Sequence, residues 1–323
     1  MAEETLDVKA EQEENTQTLN NPFLEESVVT RNQKNEEERQ QDYIYTYSGN
    51  PLDIDEIFQY SVRNRVKMVI VAGEQGSGKT TLEIMMYRMF LEGKNESLKF
   101  AGTVTMRGFQ KKTEPLLKKS GKEEQKVART LRADKKFLNL SVCDKNKHRV
   151  NLLFSDYAGE LFGEESSLEE IGGYFENTEK VIVTIDGQKV CDLRERKAVF
   201  YELKMLIRQL MQYGILTERS YLYVICTKND IITALKEEKR QITVDYINEN
   251  YEKVQKAFSV YVKSMKLIYL SALDLENREE CKKLEMLLND LAFDTDSSQN
   301  DMPRHDEMDL IRVERQYDKF KVR

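Results

Sequence analysis

Histidine and tryptophan are nearly missing from this chain: it has no Trp, and its two histidines, His148 and His305, stand far apart in 323 residues. A histidine-held metal and Ser-His-Asp chemistry both need imidazoles that converge on other groups, so neither is supported. Cysteine is as sparse. Cys143, Cys191, Cys226 and Cys281 show no CxxC spacing, which leaves no zinc site and no disulfide framework. That usage points to a reducing, cytoplasmic compartment. No apolar run nears the roughly 20 residues needed to span a bilayer. The N-terminus opens acidic rather than basic-then-apolar, unlike a secretory signal. A basic surplus is lacking too, since the net charge is −7. Residues 1–42 account for it with twelve acidic and four basic side chains, leaving 45 acidic against 46 basic elsewhere. The acidity therefore says little about the partners of a folded body.

What the chain does have begins at Val66–Thr81, VKMVIVAGEQGSGKTT. A β-branched run (Val69, Ile70, Val71) breaks at Gly73, and Glu74, Gln75, Gly76, Ser77, Gly78, Lys79 and Thr80 complete GxxxxGK[ST], the phosphate-binding loop. Glycines let successive N–H groups turn inward onto phosphate oxygens. Lys79 supplies a point charge to the β- and γ-phosphates, and Thr80 a hydroxyl to Mg²⁺, with Thr81 following. Leu82, Met85, Met86, Met89 and Phe90 recur at helical spacing and Gly93 ends the pattern, so the loop lies between a strand and a helix.

Further along, Lys136–Val142 and Val150–Phe154 flank the polar turn 144–147 and predict an antiparallel hairpin. Val181–Ile185, Tyr221–Cys226 and Leu267–Leu270 read as short buried strands. Helical apolar faces fall between and after them: Phe200, Leu203, Ile207 and Leu210; Ile247, Tyr251, Val254 and Phe258; Leu284, Leu287, Leu288 and Leu291. This alternation predicts an α/β fold, a mostly parallel sheet with one antiparallel strand and helices on both faces. Ligands are then expected at the carboxyl ends of the strands. The organisation read from this is a disordered acidic tail over 1–42, one domain over 43–293 and a C-terminal tail over 294–323. Tyr43–Tyr47 reads as an edge strand and Phe100–Phe109 as a strand or structured loop. The basic stretch 107–135 reads as a solvated insertion, because few aromatics and several intruding glutamates argue against a nucleic-acid groove.

Three more motifs sit at strand ends. Asp156 and Gly159 form DxxG, the aspartate suited to the Mg²⁺ water shell and the glycine N–H to the γ-phosphate. Thr227-Lys228-Asn229-Asp230 follows a buried strand. Its aspartate can accept two hydrogen bonds from guanine N1–H and N2–H₂ while the Lys228 stem packs on the ring; adenine offers no such donor pair. Ser271 and Ala272 follow the last strand, where a backbone N–H can meet guanine O6.

GEQGSGKT, DYAG, TKND and SAL in this order resemble the translation-factor-related branch of P-loop GTPases. FAGTVTMRGF, the Ala128-Arg129-Thr130 run, SDYAGELF and VTIDGQKVCDLRER narrow the resemblance, over roughly residues 64–292, to bacterial double-GTPase families associated with conflict or defence systems. It implies a Ras-like sheet, GTP with Mg²⁺, and a regulatory switch read by effector proteins. Many GTPases of that branch pair across the nucleotide, though nothing in this sequence requires a homodimer. One departure matters: Glu160 stands where Ras-like enzymes carry a water-orienting glutamine, and its carboxylate is repelled by the γ-phosphate. Slow intrinsic hydrolysis is expected, or water placed in another way. Thr130 is the first choice for the switch threonine, with Thr103 and Thr105 as alternatives. Arg129 reads either as an arginine finger in cis or as a surface arginine. The rival readings are a P-loop ATPase, and an interaction module with negligible hydrolysis whose two tails act as docking arms.

Overall fold

Strand β1 (Val66–Gly73) grows steadily more buried along its length, and β5 (Lys180–Asp186) and β6 (Tyr221–Thr227) are buried at every position. Runs of this kind carry no polar face because helices cover both sides. The computed structural model describes residues 47–117, 136–156 and 178–293. Within them β2 (Lys99–Gly102), β3 (Lys136–Cys143), β4 (Arg149–Asp156) and β7 (Ser264–Tyr269) join the other three in one sheet of order β2-β3-β4-β1-β5-β6-β7. β1 pairs in parallel with β4, Val66 opposite Asn151, and with β5, Ile70 opposite Val181. β3 is antiparallel to both its neighbours, and the other six strands run one way. The expected mostly parallel sheet with one reversed strand is what the chain forms. The β3–β4 hairpin turns where Asp144 Oδ1 accepts the His148 N–H at 2.7 Å and Lys147 takes a positive φ of 67°.

Alternating residues of the strands face opposite layers. Val69 and Val71 of β1, Ile182 of β5 and Tyr223 and Ile225 of β6 join one apolar cluster with α2 (Lys79–Leu91) and with α8 (Arg278–Ala292), which contributes Leu284, Leu287, Leu288 and Leu291. Across the sheet, α5 (Arg196–Gln212) buries Val199, Phe200, Leu203, Ile207 and Leu210 against β5, and α7 (Glu237–Phe258) buries Ile247, Val254 and Phe258. Short helices α4 (Gly187–Cys191) and α6 (Asn229–Thr233) follow β5 and β6 directly. Among the described residues no helix is long and apolar enough to cross a membrane.

Two elements depart from the sequence expectation. Helix α1 (Ile54–Arg63) precedes β1 and was signalled by a capping box: Asp53 accepts the Glu56 N–H at 2.9 Å, while Glu56 Oε2 accepts the Asp53 N–H at 3.0 Å. Of the stretch Phe100–Phe109, only the start is strand. Met106–Leu117 is helix α3, and it occupies the beginning of the stretch read as a solvated insertion. Phe109 is fully buried, its ring 4.5 Å from that of Tyr87 in a stacked arrangement. Thr113, one turn on, is buried too, and Lys111 points outward at the surface, so the helical period hid behind the basic residues. Gly108 permits the approach, because a Cβ there would lie 2.8 Å from Pro51 Cγ and 2.9 Å from Leu138 Cδ2. The two tails, residues 43–46 and the rest of the insertion lie outside the described residues.

Phe109→Ala should lower unfolding free energy by about 3–5 kcal/mol, the usual cost of deleting a fully buried aromatic. A urea melt showing less than about 1 kcal/mol would mean that α3 is not part of the core.

Candidate functional site

At the carboxyl end of β1 the chain turns at Gly73, whose φ is 147° and where a Cβ would sit 2.3 Å from Thr184 Oγ1. No other residue fits that approach. Ser77, fully buried, closes the curl: its hydroxyl donates to the Glu74 carbonyl at 2.7 Å and lies 2.6 Å from Thr184 Oγ1. Lys79 opens α2 and reaches back across the loop, its ammonium donating to Gly73 O at 2.9 Å and Glu74 O at 2.8 Å. Helix α2 is capped by Gly78 with no side-chain acceptor, so its first N–H groups face the loop, as in an anion-binding helix start. Gln75 and Gly76 are exposed at the tip, and Thr80 and Thr81 are half-buried in the first turn.

β6 ends beside this loop. Thr227 Oγ1 contacts Ser77 O at 2.9 Å and Ile185 O at 3.1 Å, fastening the TKND turn to the phosphate loop. Lys228 takes the left-handed conformation (φ 53°), and its ammonium donates to Asp186 Oδ2 at 2.6 Å. Asp230 stands exposed, aimed by a two-way bond with Ser271: the Asp230 N–H donates to Ser271 Oγ at 2.8 Å, and that hydroxyl donates to Asp230 Oδ1 at 2.6 Å. Ala272 is buried immediately after. The TKND and SAL motifs, far apart in sequence, are thus one constellation.

Three positioning residues had no role in the sequence reading. Thr184 supports Gly73 and Ser77. Asp186, at the end of β5, caps α4 through the Gln188 N–H at 2.9 Å and holds Lys228. Glu280 lies behind the TKND and SAL turns, bonded to Asn229 and to the Ser271 N–H. A polar residue closing an apolar strand just before glycine, as in Thr184-Ile185-Asp186-Gly187, was the available signal for the first two; Gly187 admits no Cβ, which would lie 2.3 Å from Thr227 O. For Glu280 the sequence offered none.

Asp156 is the last residue of β4, placed one strand from β1 at the same sheet edge as Gly73. Arg129, Thr130, Gly159 and Glu160 lie outside the described residues. Thr103 and Thr105 have a structural duty: Thr103 Oγ1 donates to Asn139 O at 2.5 Å, and the fully buried Thr105 Oγ1 accepts the Asn139 N–H at 2.9 Å. Among the described residues no three His, Cys, Asp or Glu side chains converge as a metal cage. Cys226 is buried, and burial drives its thiol pKa far up, so it serves as a small hydrophobe.

Between β5 and α5, against Gly73 and Glu74, lies a cavity of about 190 Å³ with Val183, Val199 and Leu203 in its walls. At its rim Lys189 Nζ donates to Glu74 Oε1 at 2.5 Å, and this bond raises the lysine's pKa. Glu202 stands beside Glu74. Partial burial, then the Glu74 charge and hydrogen bond, raise the Glu202 pKa above its ordinary value.

The family model described as Double-GTPase 2 matches residues 67–292. No curated protein sequence matches the chain. Among solved structures, the GDP-bound RocCORdC of Methanosarcina barkeri Roco2 is similar at 16% identity, covering 71% of this chain and 49% of that one, with a TM-score of 0.36. A mutation variant of SsGBP is similar at 14% identity, covering 72% of this chain and 59% of that one, again with a TM-score of 0.36. The chain therefore spans about half to three fifths of those neighbours' lengths, and a likeness that loose says nothing about function.

The rim carboxyls give a pH dependence. A carboxyl whose folded pKa is raised favours the fold below its unfolded value, and that contribution is lost as pH rises through the folded value. Glu202→Gln should therefore melt higher than the parent at pH about 8 and equal to it at pH about 4. A variant that melts lower at the upper pH would show that Glu202 is stabilising as an anion.

Proposed function

The chain belongs to the Double-GTPase 2 family, and from that premise we propose that it binds GTP with Mg²⁺, hydrolyses it slowly and acts as a switch on partner proteins. The observation that carries the reading is the Thr227–Ser77 hydrogen bond. It ties the Gly73–Thr81 loop to the turn that carries Asp230, the spacing that a phosphate cradle and a guanine acceptor would need.

In this reading Gly73 to Thr81 cradle the phosphates, and Lys79 trades its two carbonyl contacts for β- and γ-phosphate oxygens. The stem of Lys228 lies along the base with its ammonium held by Asp186. Asp230, aimed by Ser271, accepts from guanine N1–H and N2–H₂, and the N–H near Ala272 meets O6. Thr80 and Asp156 are the groups that would hold Mg²⁺, directly or through water, with phosphate oxygens completing the shell. The ion's chemistry, when bound, is to neutralise charge developing on the phosphates. Gly159 offers its N–H to the γ-phosphate, Thr130 is the switch threonine, and Arg129 is available to stabilise transferred charge. Glu160 in place of glutamine sets a low intrinsic rate. That same residue favours a second reading, an interaction module with negligible turnover. A cytoplasmic role in a bacterial conflict or defence system, with effector proteins that read the GTP state, completes the proposal. Pairing of two copies across the nucleotide is compatible with it.

The test is a titration with fluorescent GTP and ATP, in Mg²⁺ and in EDTA. Mg²⁺-dependent GTP binding that excess ATP does not displace is expected. Asp230→Asn should weaken GTP about a hundredfold and admit xanthosine triphosphate. Equal ATP binding by the parent would reduce TKND to a turn and sink the guanine assignment. Single-turnover hydrolysis near the uncatalysed rate would select the interaction module.

A further inference from the structure

Glu280 is a carboxylate with only 6% of its surface exposed, in the first turn of α8. Its Oε2 accepts the Ser271 N–H at 2.6 Å. Its Oε1 accepts the Asn229 Nδ2–H at 3.1 Å and the Lys283 ammonium at 2.7 Å. None of these bonds goes to the α8 backbone. The helix start is capped by Asn277, whose side chain accepts the Glu279 N–H at 3.0 Å. Removing a carboxylate from water is costly, and a helix that needed only an anchor would be held as well by an apolar side chain. The cost is tolerated where the charge lies near a helix N-terminus and each oxygen has donors.

The two partners besides Lys283 identify what the carboxylate holds. Asn229 immediately precedes Asp230 in the TKND turn. Ser271 is the residue whose hydroxyl aims Asp230. One buried group therefore grips both base loops at once, and the chain Glu280–Ser271–Asp230 sets where the Asp230 carboxylate stands.

We propose that Glu280 is the positioning residue that sets this chain's preference for guanine, by clamping the Asn229 side chain and the Ser271 backbone so that Asp230 is held to meet the N1–H and N2–H₂ pair. This rests on the guanine-binding reading above. Gln at this position puts a donor where one of the two loop donors now binds, leaving the side chain's size nearly unchanged. The bonds of Glu280 go to the two base loops and to Lys283, so the loss is expected to fall on base recognition.

The experiment measures Mg²⁺-dependent affinity of the full chain and of Glu280→Gln for GTP and for inosine triphosphate, which lacks the 2-amino group, with melting temperatures recorded alongside. The parent should bind GTP at least about tenfold more tightly than inosine triphosphate, and Glu280→Gln should erase most of that ratio while changing inosine triphosphate affinity less than about threefold. A parent with no such ratio overturns the guanine reading itself, and this inference with it. A parent that discriminates alongside a Gln variant that discriminates equally overturns the Glu280 assignment alone. An equal loss for both nucleotides means a general structural role and overturns it as well. Should Glu280→Gln fail to fold, Asn229→Ala removes one end of the clamp; a smaller fall in the ratio supports the assignment, and an unchanged ratio overturns it.

Discussion

One side chain at the end of β6 holds the architecture of the site together. The Thr227 hydroxyl reaches the Ser77 carbonyl in the phosphate loop and the Ile185 carbonyl at the end of β5. Phosphate and base contacts are each familiar local devices, a glycine-bearing curl and a strand-end turn. They make one nucleotide site only if the distance between them is fixed. Parallel pairing of β1, β5 and β6 supplies that distance, because parallel strands end at the same edge in a register set by their buried faces. Thr227 then removes the remaining freedom of the loops. The buried hydroxyls of Ser77, Thr184 and Thr227 are all hydrogen-bonded, as low-dielectric surroundings demand.

Away from the site, a second polar network does comparable work inside the sheet. Asn139 accepts the Val104 N–H on its side-chain carbonyl and donates its amide N–H to Leu152 O. Asn151 accepts from Tyr60 Oη and Ser141 Oγ and donates to Arg65 O. Ser155 Oγ accepts the Val71 N–H. These bonds pin the strand-to-helix connection at residues 103–105, helix α1 and the β1–β4 seam to a unique register. Buried polar groups of this kind give little net stability but penalise every alternative alignment, in which they would be unsatisfied.

The strands and long helices were legible because hydrophobic period and glycine stops act locally, as at Gly93. The phosphate loop and the Asp230 turn were legible because each motif is contiguous. What escaped was of two kinds. Helix α3 buries Phe109 and Thr113 under a cover of lysines, so its charge outweighed its period, and α1 was written in a capping box that only the Asp53–Glu56 pair revealed. Thr184, Asp186 and Glu280 hold Ser77, Lys228 and Asn229 across 107, 42 and 51 positions of sequence, and no spacing in one dimension records such contacts. Thr103 and Thr105, the alternatives to Thr130 for the switch threonine, both bond Asn139 through their hydroxyls, a tie that no local sequence pattern records.

The reversal of β3 has a consequence for how the chain is threaded. Because β3 runs against its neighbours, its first residue, Lys136, lies opposite the last residue of β4, Asp156, at the edge where β1 ends in Gly73. The first residue of β3 and the last residue of β4 therefore share a single rung of the sheet, beside the strand that leads into the phosphate loop. Lys136 and Asp156 are twenty positions apart in the sequence and directly paired in the sheet. Because one rung holds both, Lys136 and Asp156 cannot shift independently of each other.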